Sequence, residues 1–549
     1  MKTINQGWNK ALFLLVLCCF VVLVLAIFSG SQHTWAYFFN SDALYLPTLY
    51  QSLFVEGYSL DLWFLNPSIL LVPDIVLFFI LRFFTGHVVW SMLLFGIVQN
   101  LFIFFGLALI FNQIFKKEFW FFAAFAISML LLFFLDAVLS NNFYFANLAL
   151  NSTLHFGAFA MAILTLGLSL LYYNKAKTST LILLFILSML SVLSDRLFML
   201  MYSVPVAAVS LYIAIAWRKR AAIILLISTI ISLLLGMWLH GVIDRTWLNV
   251  LHLPKITNFD KIDESFFILM DLMRSHILRW NIFSFIIIAA LASYILQLII
   301  AAKLIVKNLC NSPQAFYLLF SLIFIPAVFL MPVLTGTFTQ ISIMRYNISA
   351  FFMAIINLGF LLGYFIEKKN YNAWMMITSK AVFIALLLTM FGIGVSKISS
   401  EGIDRFFNYY PDYVRELDEI AKEENLQYGL ASFWHAKPIT VFSRKGLKVY
   451  HAFDELIPYV HVTSLEYYTR EDHVFNFVVI STINDKEAWK KHLNPEAEIK
   501  MVSKGNTKVM ILPPFKFRRT GGYGARPYFV DPQNRATSDS LGSGFQPDR

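Results

Sequence analysis

The chain has 549 residues, 58% of them hydrophobic and only 14% charged. A soluble domain averages roughly 45–50% apolar and about 25% charged residues, so the balance excludes a wholly soluble protein. The formal net charge of +10 sits in short basic clusters between apolar runs, which is the positive-inside pattern; nucleic acid is not an expected partner.

In chain order, Lys2 and Lys10 precede the apolar run Ala11–Phe28. That run exceeds the ~7–15 residues of a signal-peptide core, so an uncleaved first span is expected. Further apolar segments lie at 69–85, 88–112, 118–139, 154–173, 179–194, 197–216, 221–243, 280–302, 314–334, 348–366 and 379–396. Runs of ~18 or more apolar residues match the hydrocarbon core of a bilayer, and short alternating strands are absent from them, so the spans are helices. The expected fold is an all-α polytopic membrane domain of about 11–12 transmembrane helices with a small C-terminal α/β domain.

Orientation follows from charge. Lys116/Lys117, Lys175/Lys177, Arg218–Arg220, Lys303/Lys307 and Lys368/Lys369 fall at every second connection and are assigned to the cytoplasm with the N-terminus. An even number of crossings must then separate the N-terminus from Lys116, yet three apolar segments lie between them. The 69–85 segment is short and carries Pro73, Asp74 and Arg82; it is expected to be re-entrant or interfacial. Cys18, Cys19 and Cys310 all fall outside the extracytoplasmic segments. That and the compact loops point to a bacterial inner membrane.

The expected domains are a membrane domain over 1–397 with a first outside loop at 30–86, an extracytoplasmic α/β domain over 398–515, and a disordered Gly/Ser/Pro/Arg-rich tail over 516–549. In the α/β domain, Tyr413–Glu424 and Asp485–Leu493 read as helices. Tyr428–Phe433, Leu447–His451, Phe475–Ser481 and Lys508–Leu512 read as strands. Phe266–Leu278 reads as an amphipathic helix on the membrane surface. Internal repeats and the Walker, Rossmann, HExxH and GxSxG signatures are absent.

The polar residues that such a frame would not need are the candidates for chemistry. Asp42, in Asn40-Ser41-Asp42, can deprotonate a hydroxyl, hold a divalent cation, or simply begin a helix. Asp195 and Arg196 lie together at an outside membrane edge, as a substrate site or as an ion pair marking a tight turn. Arg345 and Tyr346 follow the last outside loop, where a guanidinium suits bidentate phosphate contact and the alternative is a snorkelling anchor. His155, opening a span, is a candidate substrate contact, and Asp74 and Asp61 are candidate second acids. Trp434-His435 reads as the end of a core strand, the alternative being a pair that faces the membrane site.

This pattern resembles the GT-C superfamily of integral membrane glycosyltransferases, which use polyprenyl-phosphate-linked sugars as donors. The likeness rests on Asp42 early in the first outside loop, the Pro-containing segment from Pro67 to Gly86 that ends it, Arg345-Tyr346 opening a late span, and an outside C-terminal domain. The family often pairs acidic residues in that loop, whereas Asp42 is followed by Ala43. The resemblance implies that Asp42 is the general base and that Arg345, Tyr346 and Arg196 hold the donor phosphate. Asp195, His155 and Asp74 are the substrate contacts named beside them. A divalent cation is the candidate cofactor. The implied partners are a polyprenyl-phosphate sugar, a glycan, lipid or protein acceptor, and the bilayer. The other function classes considered are a lipid-linked sugar flippase, which should show repeated halves, and a non-catalytic envelope assembly protein.

Overall fold

The computed structural model describes residues 2–30, 32–115, 118–246, 249–250, 257–369, 373–453, 457–480, 499–520 and 524–529. Lys116/Lys117, the helix expected at Asp485–Leu493 and the tail beyond 529 lie outside them. The chain divides into two compact units, Met1–Phe38 with Asn66–Asn408, and Phe39–Leu65 with Tyr409–Arg549. Much of the loop expected at 30–86 therefore belongs to the same unit as the C-terminal domain, an assignment that hydropathy could not make.

The first unit is helical. Its helices are α1 (Lys2–Phe28) and α2 (Gln32–Phe38), then, beyond the residues of the second unit, α4 (Val76–Thr85), α5 (Val88–Ile114), α6 (Phe119–Ser140), α7 (Tyr144–Leu150), α8 (Phe156–Lys175), α9 (Thr178–Ser194), α10 (Val204–Trp217), α11 (Arg220–Thr246), α12 (Ile262–Ile277), α13 (Ile282–Val306), α14 (Pro313–Leu334), α15 (Ile348–Lys369), α16 (Ala373–Lys397) and α17 (Ser400–Asn408). The intervening α3 (Tyr45–Phe54) lies in the second unit. Among the described residues ten helices are long and apolar enough to cross a membrane, with α9 as a shorter apolar helix of 17 residues. This is a multi-pass membrane protein. The 69–85 segment is not among the ten: a π turn over Leu71–Ile75 leads into the ten residues of α4.

Lipid tails are as apolar as Leu, so membrane helices associate through close packing and polar contacts rather than through the hydrophobic effect. Both devices occur. Gly106 of α5 lies against the backbone of Ile163 and Leu164 in α8, leaving no room for a Cβ, and Gly359 of α15 does the same against Phe122 and Ala126 of α6. The polar device joins α13, α14 and α15. Ser321 Oγ donates to Gln297 Oε1 at 2.8 Å, Asn357 Nδ2 donates to Ser321 Oγ at 2.5 Å, and Tyr317 Oη donates to Asn357 Oδ1 at 2.6 Å. All four side chains are buried.

In α12, Ser265, Leu269 and Met273 are buried while Phe266, Phe267 and Met270 are exposed. The helix expected there forms, with large apolar side chains left uncovered by protein.

The second unit holds α3 with α18 (Asp412–Glu424), α19 (Phe433–Phe442) and α20 (Glu466–Thr469). Its strands are β1 (Trp63–Leu65), β3 (Tyr428–Ala431), β4 (Lys448–His451), β5 (Thr463–Ser464), β6 (Phe475–Val479), β7 (Lys500–Lys504), β8 (Thr507–Thr520) and β9 (Gly524–Phe529); β2 (Asn249–Val250) belongs to the first unit. The main sheet runs β4-β3-β6-β8-β7 with β9 on β8, and β3 is parallel to both β4 and β6. The apolar faces of α18 and α19 close over it: Val414, Leu417, Ile420, Ala436 and Ile439 pack with Val449, Phe477 and Val509. The loop residues join the same unit through β1, which pairs antiparallel with β5, and through the buried Ser52, whose hydroxyl meets that of Tyr467.

Two expectations are corrected. Trp434-His435 is in the first turn of α19 rather than at a strand end, because Ser432 caps a helix there: its carbonyl accepts from the backbone of His435 and Ala436. The segment expected to be disordered from 516 instead begins as strand: β8 continues to Thr520, and β9 pairs with it from Phe515–Phe529 to Thr520–Gly524. Alternation of Phe515 and Phe517, both buried, carried that signal within an otherwise Arg- and Gly-rich stretch.

Candidate active site

The first unit gathers five of the predicted residues at one place. The segment before α4 is docked by backbone hydrogen bonds, Leu70 N to Ser194 O at 2.9 Å and Val72 N to Ser194 Oγ at 2.8 Å. This leaves Asp74 buried, its Oδ1 accepting from the backbone N–H of Thr153 at 3.0 Å. The chain between α7 and α8 is sharply turned, with Thr153 at φ 73° and His155 at φ 64°. The turn delivers the His155 ring to Asp195, with Nδ1 and Oδ2 2.6 Å apart and both side chains at least nine-tenths buried. The other oxygen of Asp195 accepts from Leu197 N at 3.0 Å. The His155 ring also lies 5.0 Å from that of Tyr346.

Arg345 adjoins this group. Its Nη2 donates to Tyr346 Oη at 3.1 Å. Its Nε is buried without a hydrogen-bond partner, and among the described residues no carboxylate lies within ion-pair distance of the guanidinium. Tyr144 is close by: burial and Tyr37 push its hydroxyl upward, against the pull of Arg345. Arg196 is exposed, and among the described residues none of its side-chain contacts ties it to the cluster.

Burial dominates the electrostatics of Asp74. Its carboxyl is pushed up to about 6, chiefly by desolvation and also by Asp195, while the Thr153 N–H and His155 pull it down. Gly157 presses on this carboxyl, and a Cβ there would collide with Asp74 Oδ2 and the Pro73 ring. Sequence position explains why these residues meet. His155 opens α8, Asp195 caps the end of α9 and Arg345 precedes α15, whereas Lys175, Lys177 and Lys369 mark the opposite ends of the same helices.

Asp42 belongs to the second unit, where it is half-buried in a turn between α2 and α3. Asn40 Oδ1 accepts from Ala43 N at 3.0 Å, Asn40 O accepts from Leu44 N at 2.9 Å, and Asp42 O accepts from Tyr45 N at 3.3 Å. The helix-start reading of Ser41-Asp42 is only partly realised, because no side chain caps α3. Ser41 donates its hydroxyl to the carbonyl of Phe433, and Lys437 Nζ donates to Ser41 O at 3.2 Å. Lys437 is 5% exposed; burial pushes its amine down to about 7, and Asp42 pulls the other way. It is the one lysine in Phe433–Phe442, and only the fold links it to Asp42. Asp61 is exposed on a 3-10 turn.

Among the described residues no group of three or more His, Cys, Asp or Glu side chains is placed to hold a metal ion. The amine of Lys437 lies close enough to Asp42 for the two charges to interact, and a cation is a poor neighbour for a divalent ion on electrostatic grounds.

No protein-family model matches the chain, and no curated protein does. One solved structure similar to it is that of ArnT from Cupriavidus metallidurans bound to undecaprenyl phosphate, at 12% identity over 92% of this chain and 98% of that one, with a TM-score of 0.46.

Proposed function

We propose that the chain is a membrane glycosyltransferase of the GT-C kind, moving a sugar from a polyprenyl-phosphate donor to a hydroxyl acceptor on the extracytoplasmic side. The observation that carries this reading is Arg345, a half-buried guanidinium with an unpaired Nε and no carboxylate partner among the described residues, set beside the buried Asp74–His155–Asp195 group. A cation in low dielectric calls for an anion, and a phosphate fits the guanidinium fork.

In the proposed reaction Asp42 takes the proton of the acceptor hydroxyl. The hydroxyl oxygen attacks the anomeric carbon, the bond from that carbon to the phosphate oxygen breaks, and polyprenyl phosphate leaves with the electron pair. Arg345, Tyr346 and Arg196 stabilise the charge growing on the phosphate. Asp195, His155 and Asp74 contact the substrate, with Asp195 holding the His155 ring in place.

The reading requires Asp42 and Arg345 to reach one substrate. Cysteines placed at the two positions of a variant in which Cys18, Cys19 and Cys310 are replaced by serine, treated with thiol cross-linkers of graded length, test this. Joining by at least one of the linkers is expected, and no joining at any length would sink the proposal. Incubation of purified protein with polyprenyl-phosphate-linked pentoses and hexoses should release polyprenyl phosphate. Transfer of the intact donor across vesicles without cleavage would favour a flippase instead.

A further inference from the structure

The turn that carries Asp42 is held by α19 from both sides of one peptide. Ser41 donates its hydroxyl to the carbonyl of Phe433 at the start of the helix, and Lys437, one turn further on, donates to the Ser41 carbonyl at 3.2 Å. Ser41 is fully buried. The Lys437 amine also lies 5.0 Å from the Phe433 ring centroid and 6.0 Å from that of Tyr45, so it sits in an aromatic box. Among the described residues the Ser41 carbonyl is its hydrogen-bond acceptor. Burying a lysine is costly without a partner, and Met would fill similar space without that cost. The arrangement makes sense where the carbonyl of residue 41, and hence the carboxylate of the next residue, must stay in one place.

We propose that Ser41 and Lys437 form a two-point clamp that fixes the Asn40–Asp42 turn on α19, with Lys437 as a positioning residue for the Asp42 carboxylate. The proposal rests on the reading of Asp42 as general base. The clamp acts on orientation, and a displacement of about 1 Å at a reacting group can cost on the order of 100-fold in rate. The binding of the donor's phosphate and lipid, assigned to other residues, should be untouched.

The test uses the full chain, purified, with a cleavable polyprenyl-phosphate-linked sugar and water standing in for the acceptor. Lys437→Met, which keeps the volume and removes the donor, is expected to lower kcat by about 10- to 100-fold. Its KM for the donor should stay within about twofold and its melting temperature should not fall. Lys437→Gln, which restores an N–H, is expected to recover part of the loss; a merely structural lysine would show neither the split nor the rescue. If Lys437→Met does not fold, Ser41→Ala opens the other arm and is expected to show the same fall in kcat. A kcat within twofold of wild type in either folded variant, with Asp42→Asn inactive, overturns the clamp and leaves the base assignment standing. An active Asp42→Asn overturns the base assignment and the clamp with it.

Discussion

The two units handle buried charge in opposite ways. In the first, an anion and a ring share one short contact, His155 with Asp195, and Asp74 is satisfied by a backbone N–H. The cation at its edge, Arg345, is the member left without a countercharge among the described residues. In the second, the buried member is the cation: Lys437 rests on a peptide carbonyl, with the Asp42 carboxylate acting on it from nearby. The first arrangement suits a site that awaits an anion. The second suits a site that holds its own carboxylate still. Charge alone does not separate them; the partner each charge lacks does.

The largest effects are expected at the two residues assigned to chemistry. Asp42→Asn is expected to slow donor cleavage by about 100- to 10,000-fold, the range of general-base catalysis, with donor binding retained. Arg345→Ala is expected to cost about 100- to 1,000-fold and to weaken donor binding as well. Measured side by side, a purely kinetic defect at 42 and a mixed defect at 345 would support the division of labour; identical defects would erase it.

A smaller effect tests the buried amine. The Lys437 pKa falls on folding from the ordinary 10.5 to about 7, so between those values the unfolded chain holds the extra proton. Stability of the wild type should therefore rise as pH rises from about 7 to 10.5, by at most on the order of 4 kcal/mol. Below pH 7 the burial cost is fully present. Thermal melting of Lys437→Met should lack this rise, and parallel curves for the two proteins would show that the amine is not desolvated.

The smallest effect concerns Asp74. Its pKa rises on folding from 3.8 to about 6, so the folded state holds a proton the unfolded chain has released. That contribution is present below about pH 4 and lost as pH climbs through 6. Asp74→Asn keeps an acceptor for Thr153 N–H and removes the charge. It should be more stable than wild type at pH 8, by at most about 3 kcal/mol, while losing activity if the carboxylate contacts substrate. A variant no more stable than wild type at pH 8 would count against the buried charge.

The membrane helices were legible in the sequence because apolar length is a strong signal, and the expectation that the segment at 69–85 does not cross came from charge parity. Asp74, His155, Asp195, Arg345 and Tyr346 could each be singled out as polar residues at helix ends, and alternation of the helices put them on one side. What the sequence could not supply was partnership. The His155–Asp195 contact depends on a left-handed turn at Thr153 and His155, residues with no glycine to announce it. Lys437 is one lysine among many in the sequence, and only the fold buries it and brings it to the Ser41 carbonyl. The assignment of residues 39–65 to the C-terminal unit depends on pairings such as β1 with β5 across some 400 residues of chain, beyond any local pattern.

The polar links among α13, α14 and α15 carry a mechanical consequence. Each of Gln297, Ser321, Asn357 and Tyr317 would leave a buried polar atom bare if its neighbour slid away, and in a lipid-facing bundle no water is at hand to replace it. The three helices are thus expected to travel as one block whenever the protein changes shape. Arg345 stands directly before α15, so its guanidinium rides on that block. Any opening that admits a lipid tail should shift the guanidinium by rigid-body rotation rather than by a local side-chain swing, and spin labels on α13 and α15 should keep a constant spacing while both move relative to α8.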